Sequence, residues 1–158
     1  MKSNHITREG WQALDDEFKY LWKIKRPEIT KAVSFAAAQG DRSENGDYIY
    51  NKRLLREIDR RVRFLDKRLD QLKIVDYAPQ QEGKVFFGAY VEVESESGDI
   101  SQFRIVGTDE TDSSKNFISV NSPMAQSLIG KQVDDEVTVK VPKGMKTVFI
   151  NKISYHSK

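Results

Sequence analysis

Three carboxylates stand close together at a predicted turn of the chain. Asp41, Glu44 and Asp47 fall in GDRSENGDYIY, residues 40–50, around an Asn-Gly pair that favours a tight turn. Asp41 and Glu44 have the spacing of a capping box, in which Asp41 caps a helix and Glu44 folds back onto the cap. Alternatively, the pair is exposed and binds a hard cation such as Mg²⁺, which commonly takes only one or two protein carboxylates. Two carboxylates do not complete an octahedral site, so this second interpretation requires ligands from a partner.

A long basic helix is predicted directly after the turn. Residues 48–72 carry a coiled-coil seam with alternating spacings of three and four. The seam consists of Tyr48, Asn51, Leu55, Ile58, Val62, Leu65, Leu69 and Leu72, and only Asn51 interrupts its apolar character. The spacing predicts one helix over residues 47–73, about 40 Å long at the rise of an α-helix.

Basic side chains line the face of this helix opposite the seam. In heptad positions f, b, f, b and f stand Arg53, Arg56, Arg60, Arg63 and Lys67, which we call the basic stripe. A solvated coiled-coil face is the ordinary interpretation, but such faces usually mix both signs. A single-signed stripe favours polyanion binding. No aromatic residue interleaves with it in the sequence, which favours phosphate contact over base stacking.

The segment before the turn supplies a partner helix. A second 3-4-3 seam is formed by Trp11, Leu14, Phe18 and Leu21, and Ile29 and Val33 continue an apolar face. Thr7 is a suitable start, and Pro27 predicts a kink or a local irregularity. Two amphipathic helices joined by GDRSENG predict an antiparallel hairpin over residues 1–76.

The pattern changes after the hairpin. Residues 77–83 predict a linker, and residues 84–158 predict a second domain. Its predicted strands are KVFFGAYVEVE, SQFRIVG, KNFISV, EVTVKV and TVFINKISY. SPMAQSLIG predicts one helix, with Ser122 as its N-cap, Pro123 at its first position and Gly130 as its C-cap. A sheet with one helix makes this domain α+β.

Composition limits the classes of function. The 158 residues carry 26 Lys and Arg against 24 Asp and Glu, so only the distribution of charge points to nucleic acid. There is no Cys, which excludes disulfides and thiolate metal sites. No signal-peptide core or membrane-length apolar run is present, so we expect a soluble cytoplasmic protein without a membrane partner. No P-loop, Ser/His/Asp set or zinc cluster stands out, and no small-molecule substrate is expected.

Long segments resemble the bacterial Gre transcript-cleavage factors, and the GreB branch more than the GreA branch. They are RPEITKAV, GDRSENGDY, NKRLLREIDRRVRFL, VDYAPQQEGKVFFGAYVE, FRIVG and ISVNSPMAQSLIGKQVDDEV. The resemblance covers nearly the whole chain. It implies a coiled-coil hairpin followed by an FKBP-like α+β domain. It also implies binding to bacterial RNA polymerase, insertion of the hairpin into the secondary channel, and stimulation of the polymerase's own cleavage of backtracked RNA.

The resemblance also assigns roles to residues. It makes Asp41 and Glu44 the catalytic tip, holding a second Mg²⁺ that is shared with the polymerase active site. It implies that a basic patch contacts the extruded 3′ segment of nascent RNA, and the matching residues are Lys52, Arg53, Arg56, Arg60, Arg63 and Lys67. The matching docking residues at the channel rim are Asn121, Ser122 and Pro123. Two positions depart from the family pattern, which usually has Ala at Gly46 and Gly at Asp134.

Three other functions compete with this interpretation. A non-cleaving inhibitor of the secondary channel would share the same hairpin. A prolyl isomerase is disfavoured because FKBP-type sites are typically aromatic and often hold a Trp, which residues 84–158 lack. A free-standing metal nuclease is disfavoured because two exposed carboxylates make a poor metal site on their own.

Overall fold

The structure, a computed structural model, describes residues 4–40 and 44–156. It divides into two compact units: Trp11–Leu72, and the first ten residues together with the chain from Lys73 onward. The helices are α1 Arg8–Tyr20, α2 Arg26–Ala37, α3 Gly46–Gln71 and α4 Pro123–Leu128. The strands are β1 His5–Ile6, β2 Lys73–Ile74, β3 Tyr90–Ser95, β4 Ile100–Val106, β5 Phe117–Ser119, β6 Glu136–Val141 and β7 Gly144–Ser154. The predicted α+β class, a helical hairpin plus a strand-rich domain, is confirmed. No helix among the described residues is both long and apolar enough to cross a membrane.

The predicted seam holds the hairpin together. Ile58, Val62, Leu65 and Leu72 are buried on α3 or at its end, and the other seam members are half-buried. Across from them, Ile29 of α2 is buried against Ile58 and Val62. The helix predicted over residues 47–73 is α3 at Gly46–Gln71.

The predicted irregularity near Pro27 is a π-helical turn. It spans Leu21–Lys25, and the backbone N–H of Arg26 donates to the carbonyl of Leu21. Pro27 has no N–H to continue the α-helical ladder, and Ile29 follows Leu21 by eight residues, one more than a heptad. The wide turn absorbs the extra residue and keeps Ile29 in the seam.

The second unit, which we call the sheet unit, is built on a five-stranded sheet of order β5-β4-β3-β7-β6. All neighbouring strands are antiparallel except β4 and β5, which are parallel. β6 alternates as predicted, with Val137 and Val139 in the core and its polar residues outside. Ala125 and Leu128 of α4 are fully buried in the same core.

The five predicted strands are present, but the first is shorter than expected. Residues 84–89 form a partly buried connection rather than part of β3: Val85 is fully buried, donates its N–H to the carbonyl of Lys131 and accepts from the N–H of Gly130. Gly88 then turns the chain with φ +89°. Residues 84–89 are largely apolar because they are partly buried. Hydrophobic periodicity alone does not distinguish such a connection from a strand.

The ends of the helical segment are held by a short parallel pairing of β1 with β2. Ile6 is fully buried, and the compact helical unit begins only at Trp11. The predicted hairpin range of 1–76 is therefore wider than the helical unit. Two-residue strands carry too little periodicity to be recognised in the sequence.

Candidate nucleic-acid interface and hairpin tip

The tip of the hairpin is described only in part. Asp41 lies outside the described residues. Glu44 is exposed and makes no hydrogen bond or ion pair with any described residue. The N-cap of α3 is Asn45, whose side-chain oxygen accepts from the N–H of Tyr48 at 3.1 Å and whose amide donates to the carbonyl of Ala36 at 2.6 Å. Glu44 therefore precedes the cap, and an Asp41–Glu44 capping box does not begin α3.

Gly46 is the first residue of α3, and a β-carbon built there meets nothing within 4 Å. The Ala that the family usually has would fit this position. Gly in place of Ala at this position therefore lowers helix propensity slightly and loses no packing contact.

The tip suits Mg²⁺ only as part of a shared site. Glu44 is a hard oxygen donor and faces solvent, as does Asp47 three residues later. Among the described residues, no group of three His, Cys, Asp or Glu side chains is close enough to hold an ion. A Mg²⁺ ion at Glu44 would therefore need ligands from outside the described part of the chain.

The basic stripe is exposed and unneutralised. All five of its residues are exposed, Lys52 is half-buried, and none of the six forms an ion pair with a described residue. The cations that face the other helical arm behave differently. Arg61 forms two hydrogen bonds with Glu17, at 2.7 and 2.9 Å, and Arg26 donates to Asp59 at 2.7 Å. The ion pairs across the hairpin therefore use Glu17 and Asp59 and leave the stripe positive.

An aromatic residue of the other arm of the hairpin lies beside part of the stripe. Trp22, in the π-helical turn, is 52% exposed. It lines a groove of about 380 Å³ together with Asp59, Val62 and three stripe residues, Arg56, Arg60 and Arg63. The guanidinium of Arg26 lies 5.4 Å from the Trp22 ring centroid, and the hydrogen bond to Asp59 raises the pKa of Arg26 further.

The position of Trp22 beside the stripe could not be predicted from the heptad pattern, for a physical reason. Trp22 belongs to the other arm of the hairpin, and the π-helical turn shifts the helical phase at that point. A heptad drawn through Leu21 does not predict which face Trp22 takes. The usable signal was the eight-residue spacing from Leu21 to Ile29, which requires one extra residue in the turn.

The predicted docking residues lie at the start of α4. Ser122 is the N-cap, as predicted, and its hydroxyl accepts from the N–H of Ala125 at 3.2 Å. Asn121 and Pro123 on either side are exposed. Gly130 follows the helix with φ +85°, one residue beyond the C-cap at Ile129.

Comparisons with known proteins agree across the chain. Residues 4–74 match the family described as transcription elongation factor, N-terminal, and residues 80–155 match transcription elongation factor, GreA/GreB, C-term. The chain is 64% identical over 157 residues to transcription elongation factor GreB of Haemophilus ducreyi, covering 99% of this chain and 97% of the relative. It is 65% identical over 154 residues to GreB of Haemophilus influenzae, covering 98% of both.

Among solved structures, the GreA factor homolog 1 protein of Thermus thermophilus aligns over 95% of this chain and 97% of its own, with 22% identity and a TM-score of 0.42. The assignment rests on the sequence matches. The chain belongs to the GreA/GreB family of transcription elongation factors, on its GreB side.

Proposed function

We propose that this elongation factor binds bacterial RNA polymerase, extends its hairpin into the secondary channel and stimulates the polymerase's Mg²⁺-dependent cleavage of backtracked nascent RNA. The single observation that carries the proposal is the exposed basic stripe on α3, which forms no ion pair with a described residue. Family membership supports the polymerase as partner. Such a factor acts in the cytoplasm, where bacterial transcription takes place.

The stripe is suited to binding RNA phosphates, because no carboxylate of the described residues is paired with it. From Arg53 to Lys67 it extends over 14 residues, about 21 Å along the helix. Because no described acid pairs with these side chains, their charge is available to an RNA backbone, and each phosphate contact releases counterions. Phosphate contacts position the strand without reading its sequence.

Glu44 lies directly before the helix that carries the stripe. Arg53 lies seven residues, about 10 Å, after the first residue of α3, which immediately follows Glu44 and the Asn45 cap. RNA held along the stripe is thereby placed on the helix that directly follows Glu44 and the Asn45 cap. Asp41 and Glu44 would hold the shared Mg²⁺, which supplies charge stabilisation at the reacting phosphate and activates a bound water.

The chain does not cleave RNA alone in this proposal. Two carboxylates leave most of an octahedral site to other ligands, so the reaction belongs to the polymerase and this protein completes its site. Asn121 and Pro123 would contact the channel rim, while Ser122 fixes the turn that presents them through its cap. A non-cleaving inhibitor and a prolyl isomerase are the alternatives that the following experiment separates.

The test is stimulated cleavage in arrested elongation complexes. A variant with Arg53, Arg60 and Lys67 changed to Ala removes three stripe charges, and a control with Lys140, Lys143 and Lys146 changed to Ala removes three exposed charges from the sheet unit. We expect the stripe variant to lose cleavage of long extruded RNA and crosslinking to the RNA 3′ end, while the control retains both. Equal activity of the two variants would contradict the stripe's role, and failure of the unaltered protein to stimulate cleavage would contradict the proposal itself.

A further inference from the structure

The groove beside the stripe combines an aromatic face with positive charge. Trp22 forms one wall with more than half of its side-chain surface exposed, and Val62, 7% exposed, supplies an apolar contact. Arg56, Arg60 and Arg63 line the same groove and have no ion-pair partner among the described residues. An indole left in solvent beside three unpaired guanidinium groups is a combination that favours an aromatic anion.

The indole is held in place from one side. Arg26 lies 5.4 Å from its ring centroid, and the Arg26 Nε donates to Asp59 at 2.7 Å. This contact fixes the cation over the ring and offsets the one negative charge that lines the groove. A ring positioned in this way loses little conformational freedom when a second flat group packs against it.

We propose that Trp22 stacks on one unpaired base of a single RNA strand whose phosphates lie on Arg56, Arg60 and Arg63. This inference rests on the proposed function and adds a base contact to a surface otherwise assigned to phosphates. Arg56 and Arg60 are four residues apart, about 6 Å along the helix, which is close to the spacing of successive phosphates in an extended strand. A duplex presents no free base face, so the occupant is single-stranded.

Two properties follow from stacking. The contact tolerates any base, because every base has a π face, but it favours purines, whose larger faces stack more strongly. It also adds affinity that does not depend on counterion release. Removing Trp22 should therefore lower affinity equally at every salt concentration, whereas removing a stripe arginine should lower the salt dependence.

The experiment measures binding of single-stranded RNA to the full-length protein at low salt. A Trp11→Phe background leaves Trp22 as the only tryptophan, so quenching of its fluorescence reports contact with a base. The probes are a nine-nucleotide oligoadenylate and a base-free sugar–phosphate oligomer of the same length. We expect oligoadenylate to quench Trp22 and to bind more tightly than the base-free oligomer.

Substitutions at Trp22 separate stacking from packing. Trp22→Leu keeps an apolar side chain without a π face and should weaken oligoadenylate binding about 5- to 100-fold, with an unchanged salt slope. Trp22→Phe should restore most of the loss. Tyr20→Leu removes another exposed aromatic, 47% exposed on the same arm and outside the groove, and should change nothing. Helicity by circular dichroism checks that each hairpin is intact.

Several outcomes would overturn the inference. Equal affinity of Trp22→Leu and the background protein for oligoadenylate would do so, as would an absence of quenching at saturation. Loss of base-free oligomer binding in Trp22→Leu would show that Trp22 only supports the arginines. Any of these results combined with normal cleavage in arrested complexes removes the stacking contact and leaves the proposed function standing.

Discussion

Charged side chains have opposite surroundings in the two units. In the sheet unit, Arg104 is 9% exposed, donates its Nε to the carbonyl of Gly88 at 3.0 Å and lies against the rings of Tyr90 and Phe117, at 4.7 and 5.8 Å. On the hairpin, the five stripe residues are exposed and have no ion pair with a described residue. The same residue type is thus committed to the fold in one unit and available to a partner in the other.

Glu110 is an acidic residue of the sheet unit whose hydrogen bonds also stabilise the fold. Its carboxylate accepts from the N–H of Thr7 at 3.0 Å, from the Thr7 hydroxyl, and from the N–H of Gly107 at 2.8 Å. A β-carbon added at Gly10 would clash with this carboxylate, so a side chain there would displace Glu110 from these hydrogen bonds. The comparison therefore indicates that changes at Arg104 and Glu110 alter stability, whereas charge changes on the stripe alter binding.

The largest effect on stability is expected for Glu110→Ala. It leaves the buried N–H groups of Thr7 and Gly107 without an acceptor, at about 2–5 kcal/mol of unfolding free energy for the two together. Chemical denaturation of the sheet unit measures the loss. Glu96→Ala, at an exposed position, is the control and should be neutral. An unchanged midpoint for Glu110→Ala would refute the structural role of this carboxylate.

Arg104→Ala should cost somewhat less. It removes one charged hydrogen bond and two ring contacts, about 2–4 kcal/mol in total. Arg104→Lys should recover only part of this loss, because an ammonium group lacks the flat guanidinium that contacts the two rings. Denaturation midpoints measure both variants, and full recovery by Lys would show that charge alone explains the site.

Two adjacent residues of α3 sharpen the comparison within one helix. Arg61 pairs with Glu17, while Arg60 belongs to the stripe. Arg61→Ala should lower hairpin stability by about 0.5–1 kcal/mol and leave the salt dependence of RNA binding unchanged. Arg60→Ala should leave stability unchanged and lower the log–log salt slope by about 0.7. Titrations at several salt concentrations, with thermal unfolding in parallel, test both; identical behaviour of the two variants would break the comparison.

The smallest effect concerns a departure from the family pattern. Asp134 has φ +72°, a left-handed conformation that favours Gly. Asp134→Gly relieves this strain but frees the unfolded chain, so we expect a net gain of about 0.5 kcal/mol. Asp134→Val should destabilise the turn between α4 and β6. A stabilising Val, measured by thermal unfolding, would contradict the strain.

The sequence predicted the hairpin well because its signal is long. Eight seam positions over 25 residues specify α3, and strict alternation specifies β6. The cap at Ser122 was equally readable, since Ser followed by Pro leaves few other roles. Such patterns depend on residues near one another in the chain.

What the sequence missed depends on distant contacts. The pairing of β1 with β2 joins two-residue segments 68 positions apart, and the Glu110 carboxylate reaches Thr7 across 103. The groove at Trp22 depends on the phase of the π-helical turn, which a regular heptad pattern does not predict. Asn45, rather than Asp41, caps α3, because the cap is selected by the local turn and several nearby side chains could supply it.

The central claim is that Asp41 and Glu44 serve the shared metal ion rather than the fold. Asp41→Asn combined with Glu44→Gln keeps the side-chain shapes and removes both charges, and the Asn45 cap of α3 is untouched. The measurement is RNA cleavage by arrested complexes across a Mg²⁺ titration, with the variant added alone and in competition with the unaltered protein. We predict that the variant stimulates no cleavage and inhibits the unaltered protein by occupying the polymerase. Cleavage at the unaltered rate at limiting Mg²⁺ would contradict the claim.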